Sequence, residues 1–337
     1  MNKYTSYSSD LIINTIKKLD LTEEKFQIII EKKTKKVVGT LTDGDIRRIL
    51  IKSKMLEKSV LQYLNKSPVL GKEDEIENNI NKINVVDREP AFLPITNNND
   101  ILQSIIIRKS IDTMPEALLL AGGLGSRLGS LTKKTPKPLL KIKGKEILEH
   151  CLEKLEAANI KKIYISLNYL GKKIENYISK RNNKAEIITF FEDKKLGTVG
   201  PLSLIKKDIK SNIIVMNSDL ITTLSIKSMV SFHRTKKLDA TIAAALFETE
   251  IPYGVLRYND IGKLINIEEK PKVKNLVAAG VYILNKSIIN LLKKNKSLDM
   301  PKLIDEAIER KLNIEVFPIH ETWKDIGLPK DYYSFKK

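Results

Sequence analysis

The chain has 337 residues, long enough for two domains, and its 42% hydrophobic and 30% charged residues suit a globular protein. No apolar run approaches the ~20 residues that a membrane span needs, and the N-terminal MNKYTSYSSD lacks a signal-peptide core, so a cytoplasmic protein without membrane attachment is expected. The net charge of +18, from 59 basic and 41 acidic residues, raises a polyanion partner, but the lysines are spread out and not gathered into one stripe with aromatics between. That pattern fits compositional drift, and no specific nucleic-acid partner is expected. Cys151 is the only cysteine, which excludes an internal disulfide.

In chain order, FQIII (26–30), a polar turn and VVGTLT (37–42) predict a hairpin of two buried strands. The hairpin leads through Asp43-Gly44-Asp45 into a helix from Ile46 to Ile51, with Asp43 or Asp45 placed to cap it. AFLPITNNNDILQSIII (91–107) repeats the theme more weakly, and SIDTMPE (110–116) reads as a linker. From Ala117 strands and helices alternate: strands at 117–123, 161–168, 186–193 and 212–219, helices at 147–160, 170–180 and 201–209. Such alternation predicts a parallel sheet covered on both faces, with ligands beyond the carboxyl ends of its strands.

The polar motifs fall at those ends. Ala121-Gly122-Gly123-Leu124-Gly125-Ser126-Arg127-Leu128 follows the first strand directly. Glycines there let backbone N–H groups approach a phosphate chain, and Arg127 can reach the α- or β-phosphate as charge builds up. The spacing is neither the dinucleotide fingerprint nor a Walker loop. Ten residues on, the prolines of Thr135-Pro136-Lys137-Pro138 fix the backbone around Lys137, so its ammonium is presented with little entropy to lose.

The segment AGGLGSRLGSLTKKTPKPLLKIKGKEIL resembles the signature of the sugar nucleotidyltransferase family. The resemblance implies an α/β fold with a doubly wound, mixed but mostly parallel sheet, and Mg2+ as cofactor. It also implies attack of a sugar-1-phosphate on a nucleoside triphosphate with loss of pyrophosphate. Further positions match in order: Asn168 at the base pocket, Leu196 to Pro201 with Gly197 and Thr198 at base and ribose, and Asp219 as a metal ligand. Tyr253 and Gly254 match the edge of the sugar pocket, Glu269 and Lys270 the sugar-phosphate contact, Gly280 the AGVY strand, and Asp325 in WKDIG the second metal ligand. Val199 stands where the family usually has alanine. His150, His233 and His320 show no ligand spacing, and Cys151 sits in an apolar helical rhythm, so all four are expected to be structural or superficial.

The N-terminal IIIEKKTKKVVGTLTDGDIRRIL resembles a cystathionine-β-synthase-type (CBS) motif, in which Thr42 and Asp45 would contact a nucleotide ribose. The second copy lacks the T-x-x-D, so the segment is either a regulatory nucleotide sensor or a packing module. The expected division is a CBS pair over 1–113 and a catalytic domain over 116–337, a combination that favours a homo-oligomer. It resembles the guanylyltransferases of bacterial surface glycans, in particular those using glucosamine-1-phosphate in the legionaminic acid route, which implies GTP. Mannose- or heptose-1-phosphate with GTP, and hexose-1-phosphate with dTTP or UTP, stay open. So does a non-catalytic sugar-nucleotide sensor.

Overall fold

The computed structural model describes residues 2–53, 58–86, 91–108 and 114–336. The linker read at 110–116 lies mostly outside them. The N-terminal part runs β1 (Thr5–Tyr7), α1 (Ile12–Asp20), β2 (Phe26–Ile30), β3 (Val37–Thr42), α2 (Asp43–Ser53), β4 (Gly71–Lys72), α3 (Ile76–Val85), β5 (Ala91–Thr96) and β6 (Leu102–Arg108). The weak sequence echo is a structural repeat: β1-β2-β3 and β4-β5-β6 are separate sheets, each with a parallel first pair and an antiparallel second. The halves meet where Phe26 stacks on Phe92 at 3.7 Å between ring centroids, with Tyr4 continuing the stack at 4.8 Å. α2 begins in a reciprocal cap. The Thr42 hydroxyl donates to Asp45 Oδ2 at 2.6 Å, and the Asp45 amide donates back to Thr42 Oγ1 at 3.3 Å.

The second part follows as β7 (Glu116–Leu120), β8 (Lys141–Ile142), β9 (Lys145–Glu146), α4 (Ile147–Ala157), β10 (Lys162–Leu167), α5 (Gly171–Lys180), β11 (Glu186–Phe191), α6 (Leu202–Ile205) and β12 (Ile213–Asn217). Then come β13 (Leu220–Thr222), α7 (Ile226–Thr235), β14 (Ala240–Glu250), β15 (Val255–Tyr258), β16 (Leu264–Glu268), β17 (Lys272–Leu284), α8 (Lys286–Ile289), α9 (Met300–Glu309), β18 (Ile314–Ile319), β19 (Trp323–Asp325) and α10 (Pro329–Lys336). Seven strands form one sheet in the order β11-β10-β7-β12-β17-β14-β18. Its pairs are parallel except those of β17, which runs against both neighbours. α4, α5 and α7 bury apolar residues against one face, and α6, α8 and α9 against the other. This is the doubly wound, mixed, mostly parallel sheet expected. The predicted helix 201–209 is helical only over α6, because the chain turns at Asp208, whose amide donates to the Ile205 carbonyl, and still delivers Ile209 to the core. Among the described residues no helix is long and apolar enough to cross a membrane.

β7 lies between β10 and β12, so its carboxyl end opens at the point where the strand order reverses, the position at which such sheets leave a crevice. Beyond this crevice β14 and β17 continue past the core as a ribbon, and β15 pairs with β16 as a hairpin whose Leu256, Tyr258, Ile261, Ile265 and Ile267 are exposed.

The two parts are joined by a buried ion cluster. Arg47 of α2, 1% exposed, donates to Asp43 at 2.6 and 2.8 Å, to Glu321 at 3.1 Å and to the Pro318 carbonyl, with its guanidinium 3.6 Å from the Phe317 ring centroid. Burial alone would raise the Glu321 carboxyl, but the Arg47 charge outweighs it and holds it down to about 2.

His233 is buried on α7, with Nδ1 2.8 Å from Thr241 Oγ1, and burial lowers its imidazole to about 4. An unfolded histidine binds its proton near pH 6.5, whereas the folded one stays neutral down to about 4. The unfolded state therefore holds the extra proton between these values, and stability falls as pH drops through that window. Melting temperatures measured from pH 7 to 4 are expected to decline, and to decline less steeply in His233→Gln.

Candidate active site

A cavity of about 490 Å³ occupies the crevice. Its floor is the loop after β7. Gly125 takes φ +62°, and a Cβ there would press on Thr132 and Lys137 at 2.9 and 3.2 Å, so only glycine lets the loop fold back this tightly. The Thr132 hydroxyl pins the bend through the carbonyls of Gly125 and Gly129 at 3.0 and 3.3 Å. Ala121, Gly122, Gly123, Gly125, Ser126 and Arg127 all line the cavity, with the Arg127 side chain exposed in its mouth.

The opposite wall is carried by two strands distant in sequence. β13 and β19 pair antiparallel, placing Leu220 across from Asp325, and the Ile326 amide donates to the Asp219 carbonyl at 3.1 Å. This ribbon brings the carboxylates of Asp219 and Asp325 together on the cavity. Lys137, its side chain only 10% exposed after the proline-flanked turn, forms an ion pair with Asp219 Oδ2 and lies 3.5 Å from Asp325 Oδ1. Burial raises the Asp325 carboxyl above its ordinary value, and the neighbouring Asp219 charge raises it further.

Asp219 Oδ1 and Asp325 Oδ1 are buried and accept no hydrogen bond. Two like charges with unfilled oxygen lone pairs suit a hard divalent cation, so the donor set fits Mg2+. A second acidic group, Asp43, His320 and Glu321, also lies close together, but the Arg47 guanidinium already fills it.

Gly197 and Thr198 complete the cavity beside Leu196. Gly197 takes φ +79°, where a Cβ would strike the Leu298 carbonyl at 2.6 Å. Asp299 accepts from the Thr198 amide at 3.0 Å, and the Thr198 hydroxyl accepts from the Met300 amide at 2.7 Å, which fixes this turn on α9. Val199 is fully buried, so the valine that departs from the usual alanine packs into the core.

The remaining expected residues lie elsewhere. The Asn168 amide is spent on the Glu192 carbonyl at 3.1 Å, behind the glycine loop. Gly280 on β17 sits against the Asn217 side chain, behind the carboxylate wall. Tyr253, Gly254, Glu269 and Lys270 sit together on the exposed ribbon, outside the cavity lining, with Tyr253 74% exposed and Lys270 at φ +45°. Glu192 is a site residue the motifs missed. It lines the cavity, accepts from the Ser166 hydroxyl at 2.5 Å and the Leu196 amide at 3.2 Å, and its carboxyl is raised by burial. Its position one residue past β11, at the carboxyl end of a sheet strand, was the available signal. Lys195, Asn217 and Ser218 also line the cavity, the last donating to the Leu120 carbonyl at 2.7 Å.

Residues 116–337 match the family described as Nucleotidyl transferase. Mannose-1-phosphate guanylyltransferase catalytic subunit beta of Drosophila pseudoobscura pseudoobscura is 34% identical over 225 residues, 65% of this chain and 60% of that protein. Mannose-1-phosphate guanylyltransferase 1 of Arabidopsis thaliana is 32% identical over 229 residues, 65% of this chain and 62% of that one. The chain thus spans about three fifths of the length of the curated relatives it matches. Among solved structures, HddC from Yersinia pseudotuberculosis complexed with GMP-PN is 29% identical with a TM-score of 0.53, covering 66% of this chain and 98% of that one. UDP-glucose pyrophosphorylase from Acinetobacter baumanii, 18% identical with a TM-score of 0.53 over 66% of this chain and 92% of that one, shares the fold. With its glycine loop, paired carboxylates and matched span in register, the chain belongs to the nucleotidyl transferase family.

Proposed function

We propose that the chain is a sugar-1-phosphate nucleotidyltransferase that uses GTP. The observation that carries this is the convergence of Arg127, Lys137, Asp219 and Asp325 with the glycine loop on one cavity. An oxygen of the sugar-1-phosphate attacks the α-phosphorus of the triphosphate in line. One P–O bond forms there, the α–β bridging P–O bond breaks, and the electron pair leaves with pyrophosphate. The attacking phosphate is already ionised, so no general base is needed and catalysis rests on positioning and charge. The amides of Ala121 to Ser126 cradle the phosphates, and Arg127 and Lys137 meet the charge that develops on the leaving pyrophosphate. Asp219 and Asp325 are assigned to Mg2+, which would offset charge between the two phosphates. Gly197, Thr198 and Asn168 are assigned to the base side. Tyr253, Gly254, Glu269, Gly280 and Lys270 are assigned to the sugar phosphate.

Guanine is supported by the names of the guanylyltransferase relatives and by the GMP-PN complex of HddC. Their names also favour mannose-1-phosphate as the sugar. Glucosamine-1-phosphate, as in the legionaminic acid route, rests on the N-terminal resemblance. The repeated sheets of residues 2–108 support a CBS pair forming its own domain before a catalytic domain at 116–337. Thr42 and Asp45 line a second cavity of about 830 Å³ between the two parts, and a regulatory nucleotide is assigned there. Because these two residues also cap α2, a nucleotide must compete with that bond. The lone, fully buried Cys151, whose thiol is pushed up to about 12 by burial, fits a reducing cytoplasm.

Pyrophosphate release with Mg2+, measured for each nucleoside triphosphate against mannose-, glucosamine-, heptose- and glucose-1-phosphate, is expected to show GTP as the active nucleotide. Silence across the matrix with nucleotide binding intact would favour the non-catalytic sensor. Arg127→Ala is expected to lower kcat by ~10²-fold or more, and unaltered turnover would remove it from the transition state. Asp219→Asn and Asp325→Asn should each shift the Mg2+ titration to higher concentration. Thr42→Ala with Asp45→Ala should abolish any thermal shift caused by added adenine or guanine nucleotides, while costing about 1–2 kcal/mol of stability through the lost cap.

A further inference from the structure

We infer that Arg47, in the N-terminal part, is a positioning residue for the catalytic carboxylates, acting through Glu321 on the ribbon that carries Asp219 and Asp325. The inference rests on the reading of those carboxylates given above. The ribbon has two ends. At one, Asp219 and Asp325 face the cavity. At the other, Glu321 precedes β19 and holds both strands: its Oε1 accepts from the amide of Ser225, which follows β13, at 3.3 Å. The Thr322 carbonyl accepts from the Thr223 amide and the Thr222 hydroxyl, both at 2.9 Å, which locks the same end. Glu321 is in turn held by Arg47 at 3.1 Å, and Arg47 also grips the Pro318 carbonyl just upstream.

The Glu321 side chain is 4% exposed and that of Arg47 1%, so water cannot replace either partner. A buried carboxylate that loses its cation leaves an uncompensated charge and rearranges rather than staying in place. Asp325 lies four positions beyond Glu321, at most roughly 13 Å along the chain at strand rise. Between them, the Trp323 indole donates to the Ala279 carbonyl at 2.8 Å. The clamp enters from α2, the helix that Thr42 and Asp45 cap at the edge of the larger cavity. The N-terminal part thereby reaches the ribbon through this guanidinium, beside a 3.3 Å contact of Asp20 with the His320 ring.

Trp323 is the only tryptophan in the chain, so its fluorescence reports on this strand alone. In Arg47→Met and in the nearly isosteric Glu321→Gln, the emission is expected to shift to longer wavelength and acrylamide quenching to increase at least twofold. Arg47→Lys should restore part of the signal. Lys227→Gln breaks the exposed 3.3 Å pair with Glu23 across the same seam and should leave the emission unchanged. Far-ultraviolet circular dichroism identifies which variants are folded. In those, kcat for pyrophosphate release should fall by about tenfold or more while KM for GTP stays within twofold, because the glycine loop is untouched. Unchanged Trp323 emission in folded Glu321→Gln, or an equal change in Lys227→Gln, would overturn the inference. Absent turnover in the unsubstituted protein would count against the catalytic reading alone, since the fluorescence comparison stands without it.

Discussion

The meeting of two like charges organises the second half of this molecule. Asp219 and Asp325 come from distant parts of the chain, and left alone they would repel. Three things hold them together: the β13–β19 pairing, the Ile326 amide on the Asp219 carbonyl, and the Lys137 ammonium between the carboxylates. Lys137 can stand there because its prolines set the turn, and because Gly125 lets the glycine loop bend against its Cβ. The loop, the lysine and the carboxylate ribbon therefore form one mutually braced unit. The surrounding sheet supplies the rigid strand ends from which they start.

A good part of this was legible in the sequence. Alternating apolar strands and amphipathic helices after Ala117 read correctly because a buried parallel sheet imposes long, regular periods. The glycine loop, Lys137 and both aspartates were legible as a set, because their order and spacing resemble the family signature, whereas each alone would fit an ordinary turn or cap. Less legible were features that depend on pairing at a distance. Only its place one residue past β11 marks Glu192 locally, and its surroundings come from Ser166, Leu196 and Gly122 converging on it. Asn168 was read as a residue of the base pocket, and its amide donates to the Glu192 carbonyl, a partner that no local pattern shows. Arg47 carries no local sign of its role, and only the packed interface shows that it is buried. The helix read at 201–209 failed at its end, because turn bonds and side-chain burial satisfied the segment without a continuous helix.

The N-terminal repeat shows how a small sheet becomes useful twice. Its two halves share a pairing pattern, and the first runs from Thr42, the last residue of β3, into α2, which carries Asp45 and Arg47. Thr42 and Asp45 form the cap and line the larger cavity, and Arg47 reaches into the second part of the chain. Such economy ties the helix's own stability to whatever occupies the seam.

The exposed ribbon has a different consequence. Its outer residues, from Phe247 through the β15–β16 hairpin to Val273, contribute almost nothing to the apolar core. Substitutions there escape the packing constraints that freeze the sheet, where one misplaced methylene is felt. If the ribbon meets the sugar, acceptor choice in this architecture is free to drift while the nucleotide half stays fixed. One scaffold can then be retuned to new hexose phosphates by changes that leave its folding untouched.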